Sequence, residues 1–128
     1  MIGIFLVTHA TYGESLIQCA CHVLNKRPPR IAQIGIAAQD DPLEALPMAQ
    51  QLLGLVDSGK GVLIMTDIFG ATPANLATKL LKPGRVEGIA GVNLPMLVRA
   101  LTYRDRDMET LIAKAVAGGR DGVLHMTP

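Results

Sequence analysis

The chain has no tryptophan, and two phenylalanines with two tyrosines bring aromatics to only 3% of its 128 residues. A surface that stacks bases or a flavin ring has little to work with here. Charge of one sign is missing as well. Twelve Lys and Arg stand against 11 Asp and Glu, a net charge of +1, with no basic cluster beyond Lys26-Arg27 and Arg104/Arg106. Nucleic acid binding therefore has no electrostatic footprint. Apolar runs stop at strand length, so insertion into a membrane is not expected. The N-terminus lacks the charged start and cleavage site of a signal peptide. With two cysteines and no export signal, the thiols are expected to stay reduced in the cytoplasm.

What is present is an aliphatic chain, 49% apolar, long enough for one domain with a core that needs no disulfide or metal staple. Strand-like and helix-like segments alternate from end to end. Residues 2–8, 31–37, 61–67 and 86–92 read as strands, with a short final candidate at 122–127. Two of these runs, Ile2-Gly3-Ile4-Phe5-Leu6-Val7 and Val62-Leu63-Ile64-Met65, are apolar without alternation, as strands buried on both faces are. Leu16, Ile17, Ala20, Cys21 and Leu24 form a helical stripe in a first helix from about Glu14 to Leu24. A second helix covers Leu43 to Val56, where Pro47 marks a late start or a kink. The third is expected to use Thr72 as N-cap and Pro73 as first helical residue, and to end at Lys82-Pro83-Gly84. A fourth follows Asn93-Leu94-Pro95, and Asp107 caps a last one reaching Ala117.

Alternation of this kind implies one α/β domain spanning residues 1–128, a doubly wound, mainly parallel sheet with right-handed crossovers. The flavodoxin-like order 2-1-3-4 sets the first and third strands side by side at the switch point, where ligands bind. Those strands deliver His9 and Asp67 to one edge. A carboxylate on one imidazole nitrogen leaves the other free as a nucleophile. Free imidazole titrates near ~6.5, so a large neutral fraction exists at cytosolic pH.

Three loops should meet at that edge: Thr8 to Gly13, Thr66 to Asn75, and Gly91 to Leu97. Their residues, His9 after the first strand, Asp67-Ile68-Phe69-Gly70-Ala71-Thr72-Pro73-Ala74-Asn75 after the third and Gly91-Val92-Asn93-Leu94-Pro95-Met96-Leu97 after the fourth, resemble the mannose family of IIA components of the bacterial sugar phosphotransferase system. That family has D-x-(F/W)-G-G-(S/T)-P-x-N and G-V-N-(L/I)-P-M-L at these places. A closing Gly119-Arg120-Asp121-Gly122-Val123 extends the likeness over essentially the whole chain. The resemblance implies a phosphocarrier in which His9 accepts a phosphoryl group from HPr and passes it to a IIB component. By the same resemblance Asp67 hydrogen-bonds His9, and Thr72 holds a hydroxyl near the phosphate. Backbone N–H groups of Gly70, Ala71 and the following helix start would receive the anion. It also implies a homodimer whose short C-terminal strand, antiparallel, is exchanged or paired between subunits, and contact with the membrane only through a permease complex. No cofactor and no metal are implied. Two departures stand out, Ala10 and Ala71 where family members commonly carry glycine, and alanine there suggests altered loop geometry.

Other functions in this fold class fit less well. A receiver domain needs acidic residues after its first strand and a lysine after its fifth, and Thr8-His9 and Val123-Leu124-His125 supply neither. A nucleotide binder would show a glycine-rich phosphate signature, and Gly59-Lys60-Gly61 precedes a strand and lacks that pattern. The phosphotransfer subunit of a dihydroxyacetone kinase system shares the resemblance but is normally followed by further carrier domains. Cys19 and Cys21, two apart on a helix, should not converge on one ion with His22. Asp40-Asp41 reads first as a helix start before Pro42, and Asn93 as a turn or cap.

Overall fold

The computed structural model describes residues 1–128. Strand β1 (Gly3–His9) is followed by α1 (Tyr12–Leu24), β2 (Ile31–Ile36), α2 (Pro42–Val56), β3 (Val62–Thr66), α3 (Thr72–Thr78), β4 (Val86–Ala90), α4 (Leu94–Tyr103) and α5 (Met108–Asp121). The four strands form one parallel sheet in the order β2-β1-β3-β4. The unalternating runs now have their cause, because successive side chains enter different cores. Ile4, Leu6, Leu63 and Met65 pack with α1, α4 and α5, while Phe5, Val7, Val62 and Ile64 pack with α2 and α3. All eight are fully buried.

Several boundaries differ from the sequence reading. Helix α1 begins at Tyr12, two residues early, and its N-cap Thr11 makes no side-chain bond. The buried hydroxyl of Thr8 accepts the Gly13 N–H instead, at 2.8 Å, a capping contact from inside the preceding strand. Helix α2 starts at Pro42 under the Asp41 cap, whose carboxylate accepts the Leu43 N–H at 2.9 Å. Pro47 therefore lies inside the helix and does not delay its start. The bond it forfeits is to the carbonyl of Leu43, an exposed residue in the first turn.

Thr72 is the first residue of α3 and not its cap; Ala71 holds the N-cap position and makes no side-chain bond. Proline at the second helical position is equally harmless, since neither N–H has an intrahelical partner. The helix ends at Thr78, and the chain leaves through tighter turns, with N–H of Lys79, Leu80 and Leu81 donating three residues back. Residues 123–128 form no strand within the chain. Val123, Leu124 and Met126 are 75%, 78% and 89% exposed there. A strand needs a ladder partner, and this segment has none in its own subunit.

One buried cation was invisible in the pattern. Arg104, 4% exposed, donates from Nε to the Ile2 carbonyl and from its two terminal nitrogens to the carbonyls of Pro29 and Arg30. It ties the end of α4 to the starts of β1 and β2, at the edge of the sheet opposite His9.

Candidate active site

Pairing of β1 with β3 sets Val7 opposite Thr66, so His9 and Asp67 leave the sheet as neighbours. One carboxylate oxygen of Asp67, Oδ2, accepts both the backbone N–H of His9 at 2.9 Å and its ring Nδ1 at 2.8 Å. The other, Oδ1, accepts the N–H of Ile68 at 3.0 Å. A carboxylate only accepts, so Nδ1 carries the proton and Nε2 keeps its lone pair. The His9 side chain is 44% exposed and that of Asp67 15%, so the carboxylate is sheltered and the ring reachable. Burial pushes the Asp67 pKa up, but the His9 backbone N–H, the ring N–H and, whenever the ring is protonated, its positive charge outweigh it and hold the group below the usual carboxylate range.

The glycine replacements separate cleanly. Ala71 has φ −95° and ψ 174°, extended backbone that any residue adopts, so alanine costs nothing there. Ala10 has φ 46°, in the left-handed region where a glycine is at ease and an alanine is strained. Its N–H donates to the Ile36 carbonyl at 3.0 Å, and its own carbonyl lies where a side chain on Gly35 would have to be. Gly70 supplies the positive φ, 86°, that turns the chain from Asp67 toward α3.

The three expected loops do meet. His9 and Asp67 join the first to the second. The Thr66 carbonyl accepts the N–H groups of Gly91 and Val92, each at 2.9 Å, and joins the second to the third. The Tyr12 hydroxyl donates to the Val92 carbonyl at 2.8 Å and joins the third to the first. Sequence reading passed over both Thr8 and Tyr12, although each lies in the first loop. The available signal was a hydroxyl within four residues of the histidine on either side. Gly70, Ala71 and Thr72 lie three to five residues after Asp67, at the turn into α3, with the intervening Ile68 and Phe69 projecting 58% and 86% exposed.

Other candidates are accounted for locally. The Asn93 side chain accepts the Met96 N–H at 2.9 Å and donates to the Gly119 carbonyl at 3.0 Å, so it caps α4 and ties down α5. Asp40 turns back to accept the Ala37 N–H at 2.8 Å, and Asp41 caps α2. Cys19 is exposed and Cys21 partly buried, both on α1. The better-formed depressions of the surface, such as the groove lined by Val23, Leu94 and Tyr103, do not include His9 or Asp67. No helix is long and apolar enough to cross a membrane.

Comparison with known proteins gives a consistent answer. Residues 3–116 match the EIIA-man family, described as the PTS system fructose IIA component. The mannose-specific EIIAB component of the phosphotransferase system of Escherichia coli K12 is 34% identical over 125 residues, which is 95% of this chain and 38% of that protein. The chain thus spans about two fifths of the length of this curated relative. Among solved structures, the EIIA component from Streptococcus agalactiae has a TM-score of 0.84 at 22% identity, covering 98% of this chain and 97% of that one. The mannose/sorbose-specific IIA subunit from Enterococcus faecalis also has a TM-score of 0.84, at 21% identity over 99% and 96% of the two chains. These two likenesses concern the fold. The family match and the identity to the E. coli protein decide membership: this chain belongs to the mannose family of phosphotransferase-system IIA components.

Proposed function

We propose that the protein is a phosphohistidine carrier that accepts a phosphoryl group from HPr on Nε2 of His9 and passes it to a IIB component, in sugar uptake or in a regulatory relay. The observation that carries this reading is the 2.8 Å bond between His9 Nδ1 and Asp67. It leaves Nε2 of the neutral ring unprotonated, on a side chain that is 44% exposed. In the forward step the Nε2 lone pair forms the new N–P bond as the donor's N–P bond breaks, and the donor imidazole keeps the released electron pair. No proton has to leave His9, because Nε2 carries none. Positive charge that develops on the ring is met by the Asp67 carboxylate through the Nδ1 proton, which stays where it is. The second step reverses the first toward the IIB acceptor.

The carried group brings roughly −1.5 to −2 charge. Backbone N–H groups of Gly70, Ala71 and Thr72 and the Thr72 hydroxyl are the donors assigned to it in this reading. Support comes from the Ala71 cap, which makes no side-chain bond, so the N–H groups at the turn into α3 are not claimed by a capping side chain. Phosphoryl transfer of this kind asks for positioning and charge stabilisation, and no metal or organic cofactor enters it.

A homodimer belongs to the same proposal, with residues 122–127 pairing antiparallel with the partner's sheet. The exposed Val123, Leu124 and Met126 support it, as does β4, an edge strand whose one neighbouring strand in the sheet is β3. Gel filtration at micromolar concentration should give a dimer; a monomer would rule the exchange out. We assign the protein to the cytoplasm, where HPr works, with the membrane touched only through a permease complex.

The function is tested by incubating wild type and His9→Ala with labelled phosphoenolpyruvate, enzyme I and HPr. Wild type should gain acid-labile, base-stable phosphate and His9→Ala none. Full labelling of His9→Ala would refute the assignment.

A further inference from the structure

The hydrogen bonds at the crevice close into a circuit, and its third side has no part in the chemistry described so far. Tyr12 follows β1 and Val92 follows β4, and in the order β2-β1-β3-β4 the strand between these two is β3. A bond of 2.8 Å between the Tyr12 hydroxyl and the Val92 carbonyl therefore carries the phenol across the carboxyl end of β3. That is the end that holds Thr66 and Asp67. Val92, itself 3% exposed, is drawn down from the other side, with its N–H and that of Gly91 donating to the Thr66 carbonyl. Burial first, and then the negative charge of Asp67, push the phenol's pKa up, so Tyr12 remains a neutral donor beside the carboxylate.

We propose that Tyr12 is a positioning residue for phosphoryl transfer: its hydroxyl clamps the loop after β4 onto the end of β3 and so fixes the Asp67 carboxylate that selects the His9 tautomer. The inference rests on the carrier reading above. Its physical basis is that the nucleophilic lone pair on Nε2 exists only while the proton is on Nδ1, and Asp67 alone specifies that placement. Asp67 has one oxygen shared between two His9 donors and the other on the next residue's N–H. That arrangement depends on where the β3 end sits, and a shift of about half an ångström is enough to loosen such a constellation. The circuit supplies the restraint. Tyr12 is 40% exposed, so shortening it to phenylalanine opens no buried cavity.

Tyr12→Phe keeps the ring and deletes the hydroxyl. Three quantities are to be measured on full-length wild type and variant: the ¹⁵N signals of the His9 ring without phosphate, kcat and KM with phospho-HPr, and Tm. The expected result is a larger Nε2–H tautomer share and a kcat lower by about 3- to 10-fold, the loss of one hydrogen bond, with KM within about twofold. Asp67→Asn should move the same ring signals in the same direction. Wild-type ring signals together with wild-type kcat in Tyr12→Phe would overturn the inference while leaving the carrier reading intact. A lower Tm with unchanged ring signals below the transition would also overturn it, since a structural brace acts that way. Failure of wild-type His9 to take phosphate at all would remove the carrier reading and this inference together.

Discussion

Ala10 holds φ 46° immediately after His9, and an L-residue with a Cβ pays about 1–2 kcal/mol for that backbone. Glycine would remove the strain but gain freedom in the unfolded chain, a counter-effect of about 0.5–1 kcal/mol. Ala10→Gly is therefore expected to leave stability unchanged or raise it by up to about 1.5 kcal/mol, read from urea unfolding, with transfer kept. A clear loss of stability would show that Ala10 is not strained. Asp67 makes a stronger case, since it is the only side chain bonded to the His9 ring. Asp67→Asn can keep the fold but offers an amide in place of a carboxylate, and loses a charge-assisted bond of about 1.5–3 kcal/mol. Transfer from phospho-HPr should fall roughly ten- to a hundredfold, measured by rapid quench; unchanged kinetics would dismiss the bracing role. Both residues could be singled out in the sequence, Asp67 because its run reads as a buried strand and Ala10 because glycine was expected. The sign of φ could not be read, and Ala71, equally suspect in sequence, turned out extended and unstrained.

The strands were legible because both faces of β1 and β3 are buried, which writes an unbroken apolar run. Helix starts were harder. Thr72-Pro73 has the composition of a cap and first turn, yet the chain caps one residue earlier, since Pro73 tolerates either of the first positions. Thr8 caps α1 from within β1, a contact between elements that no local pattern contains. Arg104 is the sharpest case. A charged residue in a polar stretch reads as surface, but three backbone carbonyls from two separate segments converge on its guanidinium. Arg104→Met keeps the aliphatic bulk and leaves those carbonyls unpaired, at a cost of about 2–5 kcal/mol. Thermal unfolding should show it as a Tm lower by more than about 5 °C, with His9 labelling intact in the folded protein. A Tm within about 1 °C of wild type would contradict the staple.

Charge on the folded chain also shapes its response to acid. Asp57 lies below the usual carboxylate range through the Gly59 N–H, against burial, with the Gly61 N–H and Arg85 adding to it, and Asp67 is likewise lowered. A carboxyl group depressed by folding stabilises the native state above its unfolded pKa, near ~3.9, and that contribution fades as pH falls through the folded value. Urea unfolding should therefore show stability declining from about pH 5 downward, and Asp57→Asn should flatten that limb. An unaltered acid limb would count against the Asp57 contribution. The fold class, the strand order and the meeting of three loops were all readable from alternation and one preferred topology. The circuit of hydrogen bonds that joins those loops was not, because it depends on which backbone groups come within 3 Å after folding. Everything in the functional account converges on one atom, Nε2 of His9. The direct measurement is the linkage site of the carried phosphate, read by ³¹P and ¹⁵N spectra of the protein phosphorylated through HPr. Phosphate on Nε2 of His9, with Nδ1 still protonated, is the predicted result, and phosphate on Nδ1 or on any other residue would contradict it.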